Sequence, residues 1–373
     1  MKKVGIISEL TLSNANYGNR LQAYALNVYI SNKYKYDVTS LITDKINYKK
    51  RTLNLLRRAF YKIKDFSYKK IKYCDISDRI ENCNKFTNLI KNKEYYTIND
   101  IVNENYDILI VGSDVVWAQF HGGLNELKFL NIPKYQGTKI SYAASFGKNW
   151  IPEENKESIY NDLREFDGIS VREKSSVNLL EEIGINNVTH VCDPTLLLEA
   201  EEWRKIESKC DKIKEKYIFT YLLGDDSNQK EQIKKYAKKK KIKIVNIPNP
   251  NGVYNKNDEN FGDINIENCS PQEWLWLIDN AEYVFTDSFH GTIFSSIFEK
   301  KFFVVKRKYS TNINIRMTDY LKYINQFDKF ISDFEDLDQK VWDYGSINEK
   351  LSEFKKISIN YLNKYLITEL RKI

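Results

Sequence analysis

Short apolar runs alternate with stretches of helical periodicity along nearly the whole chain, and this alternation limits the fold more than any other feature. Strands are expected at Val4–Ser8, Val38–Ile42, Ile108–Val111, Ile140–Ala144, Gly168–Val171 and Val188–Val191. Helices fit between them at Asn19–Ser31, over 49–72, within Ile80–Lys91, and at Glu154–Phe166 and Ser175–Ile183. A second series follows Asp193-Pro194 and an acidic turn. It has strands at Tyr217–Leu223, Ile242–Ile247, Tyr283–Thr286 and Phe302–Val305, and helices at Asn228–Lys239, Gln272–Asp279 and Thr292–Phe298. Strands separated by helices pair in parallel, in sheets covered on both faces. The expected architecture is therefore α/β, with doubly wound domains over 1–198 and 199–345. Apolar residues at 347, 351, 354, 357, 361, 362, 365 and 366 mark an amphipathic helix in 346–373, expected to lie across both domains. Two such domains facing each other bring the C-terminal ends of their strands onto one crevice, where doubly wound folds take ligands.

Composition excludes several classes of protein. Apolar residues make up 42% of the 373-residue chain and aromatic residues 14%, so a mainly disordered chain is ruled out. No apolar run approaches the ~20 residues of a membrane-spanning helix, and the opening MKKVGIIS is expected to be a first strand rather than a signal peptide. Five scattered cysteines (74, 83, 192, 210, 269) without a CxxC pair argue against a disulfide framework or a zinc site and fit a reducing cytoplasm. With only three histidines (121, 190, 290), no His-rich metal site is expected.

The net charge of +7 is localised: residues 49–72 alone carry +9, which leaves −2 for the rest. Leu53, Leu56, Phe60 and Ile63 recur there at helical spacing, giving a basic amphipathic helix. Such a helix fits peripheral contact with an anionic membrane, or attraction of an acidic glycan or lipid phosphate. It fits equally a helix whose Lys/Arg face is simply solvated. No nucleic-acid-binding module surrounds it.

The strongest chemical signal is YVFTDSFHGTIFSSIF, residues 283–298. A buried strand runs into Asp287-Ser288-Phe289-His290-Gly291-Thr292 and then a helix. Backbone N–H groups at a helix start suit an anion, with Ser288, Gly291 and Thr292 beside it. The positive end of that helix disfavours imidazolium, so His290 is expected to be a neutral proton acceptor. In the first domain LSNANYGNRLQAYAL (12–26) again joins a strand to a helix through a polar loop, with Asn14, Asn16, Gly18, Asn19 and Arg20 at the turn. An Arg in a first helical turn opposes the helix dipole, which points to a ligand. Asp114 in GSD and Arg172 in SVRE follow buried strands, and Arg172 is placed to grip a phosphate or carboxylate with two hydrogen bonds. His121, in FHGG, is a further candidate on the acceptor side. Neither G-x-G-x-x-G nor a Walker loop is present, so a standard dinucleotide or P-loop site is not expected.

Taken together, SNANYGNRLQAYAL, DILIVGSDVVW, ISYAASFG, ISVREKSSV, CDPTLLL and TDSFHGTIFSSIF make the chain resemble the polysaccharide pyruvyl transferase family over roughly residues 4–305. The resemblance implies two facing Rossmann-like domains in a GT-B-like arrangement. It implies pyruvyl transfer from phosphoenolpyruvate, as co-substrate, to hydroxyls of a glycan or lipid-linked glycan, with no cofactor or metal. The family's essential His falls on His290. Asp287 and Asp114 are expected as orienting carboxylates, Ser288, Gly291, Thr292 and Arg172 on the donor side, and Asn16, Gly18, Asn19, Arg20 and His121 on the acceptor side. Ser288 stands where many members carry Arg, so the missing cation is sought at Arg172, Arg20, Lys306 or Arg307. The rival readings are a GT-B nucleotide-sugar glycosyltransferase and a non-catalytic glycan- or membrane-binding protein.

Overall fold

The structure, a computed structural model, describes residues 1–46, 72–118, 126–307 and 313–367. The basic segment 49–72 (all but its last residue) and His121 lie outside the described residues. The first sheet is formed by β1 (Lys3–Ile7), β2 (Asp37–Ile42), β3 (Asn92–Glu94), β4 (Ile108–Val111) and β5 (Thr138–Ser141). Every pairing is parallel and the spatial order is β3-β2-β1-β4-β5. A two-stranded ribbon, β6 (Ser170–Val171) and β7 (Thr189–His190), continues its edge through bridges from Ile140 to Gly168 and from Ala144 to Val171.

The second sheet contains β8 (Tyr217–Tyr221), β9 (Lys243–Asn246), β10 (Ile264–Asn265), β11 (Tyr283–Thr286), β12 (Lys301–Val305) and β13 (Phe330–Ile331). It is again all parallel, in the order β10-β9-β8-β11-β12-β13. Counted within its own domain, each sheet begins 3-2-1-4-5, the doubly wound order that reverses between its first and fourth strands. Strand composition explains the burial: ILIV in β4 and YVFT in β11 are apolar without alternation, and helices cover both faces.

The helices of the first domain are α1 (Tyr17–Tyr34), α2 (Ser77–Thr87), α3 (Ile98–Asn103), α4 (Glu153–Leu163) and α5 (Lys174–Glu182). Those of the second are α6 (Ala200–Arg204), α7 (Ser227–Lys240), α8 (Pro271–Asp279), α9 (Phe289–Ile297) and α10 (Asn314–Tyr323). The last helix, α11 (Tyr344–Leu366), joins the two domains. Near its start Tyr344 donates to the Lys300 carbonyl of the second domain. Further along, Ser358 accepts from Cys192 N at 2.8 Å and Tyr361 donates to the Ser141 carbonyl at 2.8 Å. Among the described residues no helix is long and apolar enough to cross a membrane.

One apolar core runs through both domains, from Val4 and Ile110 through Trp203 to Trp274 and Phe294. Tyr17 of α1 stacks on Trp274 of α8 and donates to the Cys269 carbonyl at 2.9 Å. Arg79 of α2 donates to the carbonyls of Glu267, Pro248 and Asn249, all in the second domain. These contacts set the two strand-order reversals face to face.

Candidate functional site

The reversal point of the first sheet lies between β1 and β4. The loop into α1 leaves one side of it and Asp114 the other. Asn16 caps α1, its carboxamide oxygen accepting from Asn19 N at 3.2 Å. Asn19, one turn in, is buried and donates to Asp114 Oδ2 at 2.5 Å. Asp114 has φ +64° and Ala143, after β5, φ +53°. Left-handed backbone at two non-glycine residues on adjacent strand ends is strain of the kind that collects at functional sites. Ser113 ties them together, donating to the Ala143 carbonyl at 2.9 Å.

The reversal point of the second sheet lies between β8 and β11, and α9 starts there. Ser288 caps α9, accepting from Gly291 N at 3.4 Å, and Thr292 donates back to the Ser288 carbonyl at 2.9 Å. The next residue after Phe289, His290, is turned out of its own domain toward the first. Its Nε2 lies 3.5 Å from Asp193 Oδ2, and the ring occupies the space a side chain at Gly18 would fill. A Cβ on Gly18 would stand 2.1 Å from Nδ1. Helix α1 therefore comes this close only because residue 18 is glycine. The side chain of His290 is 7% exposed and that of Asp193 fully buried.

Arg172 organises the carboxylates. Its NH1 lies 3.0 Å from Asp193 and 3.4 Å from Asp114, its NH2 donates to Asp114 at 3.4 Å, and its Nε to Glu173 at 2.9 Å. The guanidinium also lies 4.1 Å from the Phe289 ring centre. Thr195 adds two bonds to Asp193, from N at 3.0 Å and Oγ1 at 2.7 Å. Burial opposes ionisation of Asp193, yet His290, Arg172 and Thr195 hold its carboxyl well below the usual carboxylate range. Burial likewise opposes ionisation of Asp114, and Arg172, His290 and Arg316 keep its carboxyl below the ordinary value. Arg316, from the first turn of α10, reaches within 3.6 Å of Asp114. Arg172, Asp193, Phe289, Ile293, Arg316 and Tyr320 line a small cavity at this junction.

The structure brings His290, Asp114, Arg172, Gly18 and Asn19 together. Other candidates are occupied elsewhere. Asp287 accepts from Leu223 N at 2.6 Å, Gly224 N at 2.8 Å and Arg307 Nε at 3.1 Å, which pins the β8 and β12 loops to the start of α9. The carboxylate beside the imidazole is Asp193 instead. Arg20 turns to the Asn14 carbonyl and Asn84. Gly291 serves packing, since a Cβ there would meet Thr286 Oγ1 at 2.5 Å. The hydroxyls of Ser288 and Thr292 are used in the helix cap. His190 packs its ring on Phe354 and donates Nε2–H to the Arg172 backbone carbonyl at 3.1 Å. Sequence reasoning missed Asp193, Glu173 and Arg316. Asp193 stands in CDPTLLL and Glu173 in SVRE, so the signal was present for both. Among the described residues no group of three or more His, Cys, Asp or Glu is arranged to hold a metal ion.

Two doubly wound domains meeting at their reversal points define the GT-B-like class. MnaA from S. aureus, solved with UDP, shares this fold at 12% identity with a TM-score of 0.51, over 98% of this chain and 97% of that one. A UDP-GlcNAc 2-epimerase from Neisseria meningitidis is also similar, at 13% identity with a TM-score of 0.48, over 98% and 100% of the two chains. Among curated proteins none matches the chain at a significant level. The family model for polysaccharide pyruvyl transferases matches residues 16–309, which span α1, Asp114, Arg172, Asp193 and His290. The chain belongs to the polysaccharide pyruvyl transferase family.

Proposed function

We propose that this protein transfers the pyruvyl group of phosphoenolpyruvate to two hydroxyls of one sugar in a glycan or lipid-linked glycan, forming a ketal. The observation that carries this reading is His290. It extends from the second domain, across the interface, to Asp193 and to the bare backbone of Gly18. An imidazole aligned by a buried carboxylate exchanges protons with a hydroxyl, and the carboxylate stabilises the cation formed when it accepts one.

A sugar hydroxyl adds to the central carbon of the enol phosphate while His290 takes its proton, and a proton in equal number goes to the terminal CH2, which becomes CH3, so the imidazole ring returns to its starting state by giving one up. The bond from the central carbon to the phosphate oxygen breaks and inorganic phosphate leaves. A second hydroxyl of the same sugar closes the ketal, and its proton leaves with phosphate. Asp193 holds the ring in line, and the contact at 3.5 Å tightens into a hydrogen bond as the ring becomes charged. Arg172 helps to keep Asp114 and Asp193 ionised side by side, which carboxylates so close do not do without a cation.

Release of inorganic phosphate from phosphoenolpyruvate, measured with a panel of lipid-linked sugars, tests the reading. Turnover with at least one acceptor is expected, and His290→Ala is expected to abolish it. Consumption of a UDP-sugar with no phosphate release from phosphoenolpyruvate would assign the protein to glycosyl transfer instead. Undiminished turnover by His290→Ala would remove the ring from the mechanism.

A further inference from the structure

Two guanidinium groups lie near the ring of Phe289, that of Arg172 at 4.1 Å and that of Arg316 at 6.0 Å from its centre. Their donors are used very differently. Arg172 bonds to three carboxylates through Nε, NH1 and NH2. It has little left to offer a ligand, although its position after a strand made it the expected anion grip. The side chain of Arg316 is only 13% exposed, and its one ionic neighbour among the described residues, Asp114 Oδ1, stands 3.6 Å away, beyond a formed hydrogen bond. Its Nε is buried without a hydrogen-bond partner among the described residues. Asp114 itself is already held by Asn19 and Arg172.

Burying a guanidinium with donors unmet is costly, and a native fold keeps such a group where something else completes it. Burial pushes Arg316 down to about 10, with Asp114 working against that, so it is still a cation at neutral pH. Two more orphaned polar atoms belong to the same network, His290 Nε2 and Glu173 Oε2. The cavity lined by Arg316, Arg172, Phe289, Asp193 and Asp319 is water-sized in this closed arrangement, about 10 Å³, so a completing group enters it as the domains part.

We propose that Arg316 is the anion-binding residue of this site, its planar donor edge taking a small oxyanion, carboxylate or phosphate, that enters beside His290. Planar guanidinium donors match both groups in pairs. The assignment rests on the donor reading above only in naming phosphoenolpyruvate as the physiological anion. Arg172 then acts as a positioning residue that orders the carboxylates, while Arg316 receives the ligand. This also supplies the cation that Ser288 lacks, from a helix no sequence motif had marked.

Calorimetric titration of the full-length protein with phosphoenolpyruvate, inorganic phosphate and pyruvate tests it, using wild type, Arg316→Gln and Arg316→Lys. A charge-assisted hydrogen-bond pair corresponds to a loss of at least about tenfold in affinity on Arg316→Gln, with KM for phosphoenolpyruvate rising similarly and kcat changing less. Arg316→Lys, which keeps the charge but not the fork, is expected to fall between. If the Gln variant melts lower than wild type, the Lys variant decides. Whichever of pyruvate or phosphate loses affinity identifies the group held. Unchanged affinity and KM in both variants, or no binding of any of the three anions by wild type, overturns the assignment. Oxyanion binding that depends on Arg316 without phosphate release would keep the assignment and remove the pyruvyl-transfer reading. Turnover with a KM independent of Arg316 would do the reverse.

Discussion

At the residue scale the site depends on one missing side chain. The imidazole of His290 sits where a Cβ of Gly18 would be, 2.1 Å from Nδ1. Gly18→Ala must therefore push the ring away or lift α1 from the second domain. Since a 1 Å misplacement of a catalytic group can cost ~10²-fold, phosphate release from phosphoenolpyruvate should fall by about that factor while far-UV circular dichroism stays unchanged. Full activity in Gly18→Ala would show that the close approach is not used. Acid stability provides a second check. His190 is held down to about 4 by burial, against the bond it makes to the Arg172 carbonyl. The unfolded chain takes up a proton near the ordinary value of ~6.5, so stability falls as pH drops from there toward 4, by up to ~1.4 kcal/mol per pH unit. The depressed carboxyls of Asp114 and Asp193 act below that window: their contribution is present above ~3.9 and lost as pH falls further. Urea midpoints measured from pH 7 to 4 should flatten in His190→Gln; an unaltered slope would assign the loss to other groups. Of these residues the sequence exposes Gly18, Asp114 and His290, because each sits in a strand-to-helix turn whose chemistry is local. Asp193 stands in a visible motif, CDPTLLL, but its role beside the imidazole arises only when a residue 97 positions away folds against it.

At the element scale the strands were legible where burial on both faces leaves an uninterrupted apolar run. Ile108–Val111 and Tyr283–Thr286 fall where the pattern places them. The strand β3, with sequence NKE, has no apolar signal and is a strand only because β2 offers it a free edge. The helix α10 was missed because it starts on Ile313 without a side-chain cap, so the usual start signal is absent and packing on the domain junction defines it. That helix carries Arg316, which is why the residue proposed to bind the anion was not legible. Helix α2 makes a prediction of its own. Arg79, with no carboxylate partner among the described residues, is anchored by three backbone carbonyls of the other domain, at 2.6, 3.1 and 3.1 Å. Arg79→Met keeps much of the side-chain volume but orphans those carbonyls at the interface. Hydrogen bonds to a charged group contribute ~1.5–3 kcal/mol each, and relaxation recovers part of it, so a loss of about 3 kcal/mol in urea denaturation is expected. A change under ~0.5 kcal/mol would mean that the domains do not depend on this anchor.

At the scale of the whole molecule the arrangement is a closed one. His290 is 7% exposed at its side chain and Asp193 not at all, yet the transfer proposed above needs a sugar hydroxyl within hydrogen-bond reach, about 3 Å, of the ring. That proposal therefore requires the two domains to part before a glycan enters, with closure then excluding water from the enol phosphate. Of the contacts that such a separation breaks, one on the side of the junction near α10 is placed for a crosslink. Ser175 N, at the start of α5 in the first domain, donates to Asp319 Oδ2 of α10 in the second at 3.1 Å. The Ser175 backbone and the Asp319 side chain are in direct contact, so a cysteine pair at these two positions is the crosslink to test, and four of the five native cysteines are buried and so protected from the oxidant. Oxidised Ser175→Cys/Asp319→Cys should lose phosphate release at least about tenfold, recover it on reduction, and show no redox response in either single variant, since a locked junction blocks entry rather than chemistry. Undiminished turnover in the oxidised double variant would show that substrates reach His290 without separation of the domains.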